Sequence, residues 1–260
     1  MAMKNNEEKR VLLMVPVLVL TLGLGACQEE AQPAKPPQSE EGVPASTMNG
    51  LSDEEKADGW KLLFNGKDLT GWRGFRMEEA PPGWEVSDGT LHFDAEHGGE
   101  GYGDLTTVDQ YADFELKLEW KISAGGNSGV LFRVTEDHEQ EFHTGPEIQV
   151  LDGAEEYYPG LDDTQQTGGN YALHPPARDV VKPVGEWNQL RLVVNGPHVE
   201  HWLNGEKLVE YELWTDEWKA LVARSKFAQW PQYGMNKKGH IVLQDHGAAV
   251  WYRDLKIRLL

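Results

Sequence analysis

Gly125-Gly126-Asn127-Ser128-Gly129-Val130-Leu131-Phe132-Arg133 and the segment that answers it, Gly145-Pro146-Glu147-Ile148-Gln149-Val150-Leu151-Asp152, decide the fold. Side chains in both alternate with the period of a β-strand, so Val130, Phe132, Val134, Ile148 and Val150 can pack inward together. The same alternation predicts that Arg133, Glu147 and Gln149 share the opposite face, and chemistry is expected on that polar face. A surface ion pair between Arg133 and Glu147 is the competing reading.

The flanking sequence repeats the pattern. Phe114, Leu116, Leu118, Trp120 and Ile122 alternate with Glu115, Lys117, Glu119 and Lys121, as expected for a half-buried strand. Shorter alternating runs occupy 190–194, 199–203, 241–243 and 251–259. Asn65-Gly66, Asp88-Gly89, Asn195-Gly196 and Asn204-Gly205 are dipeptides suited to tight hairpins, and hairpins imply antiparallel pairing. The expected fold is all-β, an antiparallel two-sheet sandwich of jelly-roll type. One clear helix is expected where Trp214, Trp218, Leu221 and Val222 fall on one face behind Thr215 as N-cap. A shorter one is signalled by the capping-box pair Ser52 and Glu55. Residues 157–183, rich in Gly, Pro, Asp and Thr, are too long for a plain connection and are expected to cover the sheet as a lid.

With 260 residues, 39% of them hydrophobic, and ten Trp, the chain can build one sizeable core. Its net charge of -19 opposes phosphate backbones and anionic membrane surfaces, so nucleic acid is excluded as a partner. No P-loop, nucleophile elbow or Cys/His zinc spacing occurs. Lys4, Lys9 and Arg10 precede an apolar run over 11–26 that ends Leu24-Gly25-Ala26-Cys27. That arrangement resembles a bacterial lipoprotein signal. It implies removal of residues 1–26, lipidation of Cys27 and a membrane-anchored place in the cell envelope. Residues 27–50, without an aromatic side chain, read as a disordered tether. The folded domain is expected over 51–260.

Six ordered strings strengthen the reading: Gly59-Trp60-Lys61-Leu62-Leu63-Phe64-Asn65-Gly66-Lys67-Asp68-Leu69-Thr70-Gly71-Trp72; Gly126-Asn127-Ser128-Gly129; the segment from Gly145 to Asp152 quoted above; Lys182-Pro183 with Gly185-Glu186-Trp187-Asn188; Trp202-Leu203-Asn204-Gly205; and Leu243-Gln244-Asp245-His246-Gly247. Together they resemble the 3-keto-disaccharide hydrolase family. The resemblance implies a concanavalin A-like jelly roll, export, and cleavage of glycosides oxidised to a ketone at sugar carbon 3. Such a ketone acidifies the proton on carbon 2. A base can then remove that proton and the glycosidic oxygen can leave carbon 1, with water adding afterwards. The chemistry needs a base, an enolate stabiliser and an acid for the leaving group.

Glu147 is the expected base or metal ligand, Arg133 the candidate enolate stabiliser, and His246 the alternative acid or base. Asn127, Gln149 and Gln244 suit hydrogen bonds to sugar hydroxyls, and Tyr171 could stack on a sugar face. His143 and Asp245 are secondary candidates. Strict alternation would let only one of Asp245 and His246 face the cleft, unless Gly247 breaks it. Trp202 could stack too, although core packing explains it better. A divalent cation is a possible cofactor: Glu147, Asp152, His143 and His246 offer ligands, but their spacing matches no standard site. Two alternatives stay open. The domain could be a carbohydrate-binding module without a base. It could also be a laminarinase-like glycosidase, whose Glu-x-Asp-x-x-Glu strand resembles Glu147 to Asp152 but with Gln149 and Asp152 in the wrong chemical roles.

Overall fold

The computed structural model describes residues 48–95 and 103–260. The expected signal at 1–26, Cys27 and nearly all of the tether lie outside the described residues. The folded domain already includes Asn49, within the span expected to be tether. The Asn49 backbone N–H donates to Asp254 Oδ1 at 2.6 Å, and the Asp254 N–H donates back to Asn49 Oδ1 at 2.9 Å.

The larger sheet contains β1 (Lys61–Leu62), β3 (Trp84–Ser87), β4 (Thr90–Phe93), β6 (Phe114–Ile122), β9 (Asn188–Asn195), β10 (His198–Leu203), β11 (Glu206–Glu212) and β13 (Val250–Leu259). Its order is β11-β10-β9-β6-β13-β4-β3, with β1 also pairing to β13. The smaller sheet runs β2 (Trp72–Gly74), β5 (Leu105–Thr107), β12 (His240–Leu243), β7 (Asn127–Val134) and β8 (Glu147–Leu151). All pairings within both sheets are antiparallel. This is the two-sheet sandwich the alternating pattern requires.

The inward positions of β6 meet those of the smaller sheet in one core. Phe114, Leu116, Leu118, Trp120 and Ile122 join Val130, Phe132, Ile148 and Val150 there. Burying so many large side chains, at about 2 kcal/mol each, is the main force holding the sheets face to face. Asp88-Gly89 and Asn204-Gly205 form tight hairpins with both residues at positive φ, which their side chains tolerate. Asn65-Gly66 does not make a hairpin. Asn65 Oδ1 instead accepts from the Lys67 and Asp68 N–H groups within a loop.

Both expected helices form. In α1 (Asp53–Ala57) the Ser52 and Glu55 side chains cap each other's backbone N–H groups. In α2 (Asp216–Val222) Thr215 Oγ1 accepts from the Trp218 N–H at 3.0 Å.

Alternation fails at one position in β7, and that failure moves a candidate residue. His240 pairs with Val134 and Val242 with Leu131, so β7 carries one residue more than β12 across that span. The extra residue is accommodated by a bulge in which Arg133 takes φ 50. Beyond it Val134 packs with Leu131, Val242 and Phe75 on the far side of the sheet, not with Val130 and Phe132 as expected.

Candidate active site

The face of the smaller sheet turned away from the core floors a cleft of about 430 Å³. Register explains why its polar side chains gather. Gln149 lies opposite Gly129, and Leu131 opposite Glu147, so these positions share one face. Gly129 is what lets Glu147 lie down: a Cβ there would sit 2.3 Å from Glu147 Oε1. Asn127 opens the same strand and lines the same cleft.

The outer edge of β8 is closed by residues 167–171. The Gly168 N–H donates to Gln149 O, the Gln149 N–H to Gly169 O, and the Tyr171 N–H to Glu147 O. Thr167 Oγ1 adds a bond to Leu151 O at 2.7 Å. The expected lid is therefore a wall stitched to the strand at this point. It carries Tyr171 into the cleft, where Lys226 lies over the ring at 4.2 Å from its centroid.

On the opposite rim, Gln244, Asp245 and His246 all line the cleft. Strand β12 ends at Leu243, so strict alternation no longer governs them. Asp245 is tied down: its N–H donates to Asp104 Oδ1 at 2.7 Å, and its carboxylate accepts from Gly247 N–H at 2.8 Å and Gly103 N–H at 3.3 Å.

Three buried carboxyl groups look into this space: Glu147 at 4% exposure, Glu141 at 3% and Asp104 at 8%. Glu147 is pushed up to about 8 by burial, against the pull of Lys226 and with Glu141 adding to the rise. Asp104 is pushed well above the usual carboxylate range by burial and by the neighbouring Glu141 carboxyl group. The side-chain oxygens of Asn127 and Gln149, as placed, are buried without a hydrogen-bond partner. Such amides can meet sugar hydroxyls as acceptor or, turned over, as donor.

Glu147, Gln149, Asn127, Gln244, Asp245, His246 and Tyr171 thus meet as expected, whereas Arg133 and His143 do not. The bulge points the Arg133 guanidinium, 1% exposed, at the Ala112 and Gly196 carbonyls and the Asp113 carboxylate. It is a structural cation against Trp214 and takes no part in the cleft. His143 stacks on Trp230 at 4.0 Å, beside His138 and Arg76, in a separate depression. Asp152 holds a turn, accepting from the Gly125 and Ala154 N–H groups. Of the four proposed cation ligands only Glu147 and His246 share the cleft. Trp202 lies on the larger sheet between Arg191 and Lys207.

Asp104, Glu141 and Lys226 are functional candidates that sequence reasoning missed. Glu141 stands in the connection between the two quoted strands, a position that could have flagged it. Asp104 and Lys226 are joined to the site only by the fold.

Residues 59–258 match the model of the 3-keto-alpha-glucoside-1,2-lyase-like domain family. A 3-keto-disaccharide hydrolase of Bacteroides thetaiotaomicron is 34% identical over 265 residues, spanning 91% of each chain. Two solved structures of Parabacteroides distasonis proteins, described as candidate glycosyl hydrolases, are also similar. One is 41% identical with a TM-score of 0.75, covering 82% of this chain and all of its own. The other is 31% identical with a TM-score of 0.60, covering 77% and 99%. The chain belongs to the 3-keto-alpha-glucoside-1,2-lyase-like family.

Proposed function

We propose that this domain cleaves glycosides oxidised to a ketone at sugar carbon 3, by removal of the carbon-2 proton, elimination, and addition of water. The observation that carries the reading is Glu147, a buried carboxyl group facing a sugar-sized cleft with its pKa near 8. A carboxylate of ordinary pKa is a poor base towards carbon. Raising its pKa strengthens it while leaving a useful ionised fraction at mildly alkaline pH.

The electron count is simple. Glu147 takes the carbon-2 proton, and the electron pair of that bond makes an enolate on the 3-keto oxygen. When the ketone re-forms, a double bond appears between carbons 2 and 1, and the bond from carbon 1 to the glycosidic oxygen breaks. Water then adds its oxygen at carbon 1 and a proton returns to carbon 2. Elimination and hydration in one site reconcile a family described as a 1,2-lyase with a relative called a hydrolase. Lys226, the one Lys or Arg among the described residues lining the cleft, takes the enolate-stabilising role expected of Arg133. Asn127, Gln149 and Gln244 orient the hydroxyls. His246 on the rim is available for the proton steps after elimination.

The test is to incubate the domain with a 3-keto glucoside and its parent glucoside side by side. Turnover of the 3-keto compound alone is expected. Equal cleavage of the parent would mean a direct glycosidase, and binding without cleavage of either would mean a carbohydrate-binding module.

We further propose that Cys27 anchors the domain to the cell envelope. Cys27→Ser should release the full chain from the membrane fraction, and undiminished retention would sink that idea.

A further inference from the structure

We infer that the Asp104 and Glu141 side chains together form the acid that protonates the departing glycosidic oxygen. The inference rests on the reaction proposed above, which leaves that proton donor unassigned.

The two carboxyl groups are buried, line the cleft that holds Glu147, and lie near enough for Glu141 to raise the Asp104 pKa. Neighbouring carboxyl groups buried in one cleft do not both ionise readily, since burial penalises each charge and the two repel, and at Asp104 both effects favour the protonated form. Among the described residues no Lys, Arg or His lies within ion-pair distance of either group, unlike Glu115, Glu119, Glu136 and Glu200 on other surfaces. A proton can therefore be held here without an ion-paired cation among the described residues to displace it. The Asp104 carboxylate is fixed by a backbone N–H, and the main chain that carries Glu141 is fixed by a turn. The Asp245 N–H donates to Asp104 Oδ1. The Thr144 and Gly145 N–H groups close the turn at Glu141 by donating to its carbonyl. A structural pair would serve equally well facing the core; this one faces the space where the sugar must sit.

The step balances. As the bond from carbon 1 to the glycosidic oxygen breaks, its electron pair goes to that oxygen, which takes the proton held by the carboxyl pair. The pair is left with one more negative charge, and it is reset by a proton from solvent in the hydration half of the cycle.

An acid is needed only when the leaving group is a poor one. The experiment compares two substrates, a 3-keto disaccharide and 4-nitrophenyl 3-keto-glucoside, in the wild type, Asp104→Asn and Glu141→Gln. The expected result is a loss of about a hundredfold in kcat/KM on the disaccharide. On the nitrophenyl substrate, whose phenolate leaves unaided, the loss should be at least about tenfold smaller than on the disaccharide. Equal losses on both substrates, or no loss on either, would overturn the assignment. Should both variants fail to fold, a series of aryl and alkyl leaving groups on the wild type decides. A shallow dependence on leaving-group acidity is expected, and a steep one contradicts the inference. If the wild type cleaves neither 3-keto substrate, the proposed reaction itself has failed.

Discussion

Glu115 on the larger sheet and Glu147 on the smaller one are each 4% exposed, yet their acidities move in opposite directions. Burial pushes both carboxyl groups up, more strongly at Glu147, which is the more deeply surrounded of the two. At Glu115 two guanidinium groups, Arg191 and Arg258, reverse the shift and hold the group below its ordinary range. At Glu147, among the described residues, only Lys226 opposes the rise, without forming an ion pair, and the pKa settles at about 8. One sheet uses its carboxylate to bind strands β6, β9 and β13 together. The other keeps a carboxyl group protonated at neutral pH and free to take part in proton transfer. Surface exposure alone distinguishes nothing here; the depth of burial and the neighbouring cations decide together.

The most direct way to break this contrast is Glu147→Gln, which keeps the shape and removes the base. Activity on a 3-keto glucoside should fall about a hundredfold or more. Stability should move the other way. A carboxyl group whose folded pKa exceeds its unfolded value stabilises fully below the unfolded value, near 4.5, and loses that contribution as pH rises to about 8. The variant should therefore melt higher than wild type at pH 9 and alike at pH 4, as calorimetry at both pH values would show.

Lys226→Met sharpens the contrast by removing the cation that opposes the rise. A loss of about tenfold in kcat/KM is expected. The rising limb of the pH profile should also shift to higher pH, because Lys226 holds the Glu147 pKa down. A profile that stays put would separate Lys226 from Glu147. The smallest effect belongs to Glu115→Gln, which leaves two partly exposed arginines without their carboxylate. Chemical unfolding should report a loss of about 1–2 kcal/mol at pH 7 with activity kept. Since the Glu115 pKa is lowered by folding, that difference should vanish as pH falls through its folded value.

The sheets were legible because β6 and β8 obey simple alternation and because Asp88-Gly89 and Asn204-Gly205 can close tight hairpins. Thr215 and Ser52 capped helices for the same local reason. Arg133 was not legible. A single residue at φ 50 breaks the period, and nothing in its immediate sequence announces the bulge. His143 was misplaced because a loop residue has no period to fix its direction. Most of the site followed from the ordered motifs, which include Glu147, Gln149 and the Gln244 to His246 turn. Asp104 and Lys226 come from segments far apart in the chain, one just before β5 and one following α2, and only the closed sandwich brings them to Glu147.

The central claim is that a proton leaves and returns at sugar carbon 2. Running the wild-type reaction on a 3-keto disaccharide in heavy water, and locating deuterium in the released 3-keto sugar by NMR, tests it most directly. The account predicts one deuterium at carbon 2 of the sugar that carried the ketone. Cleavage with no label at that carbon would contradict it.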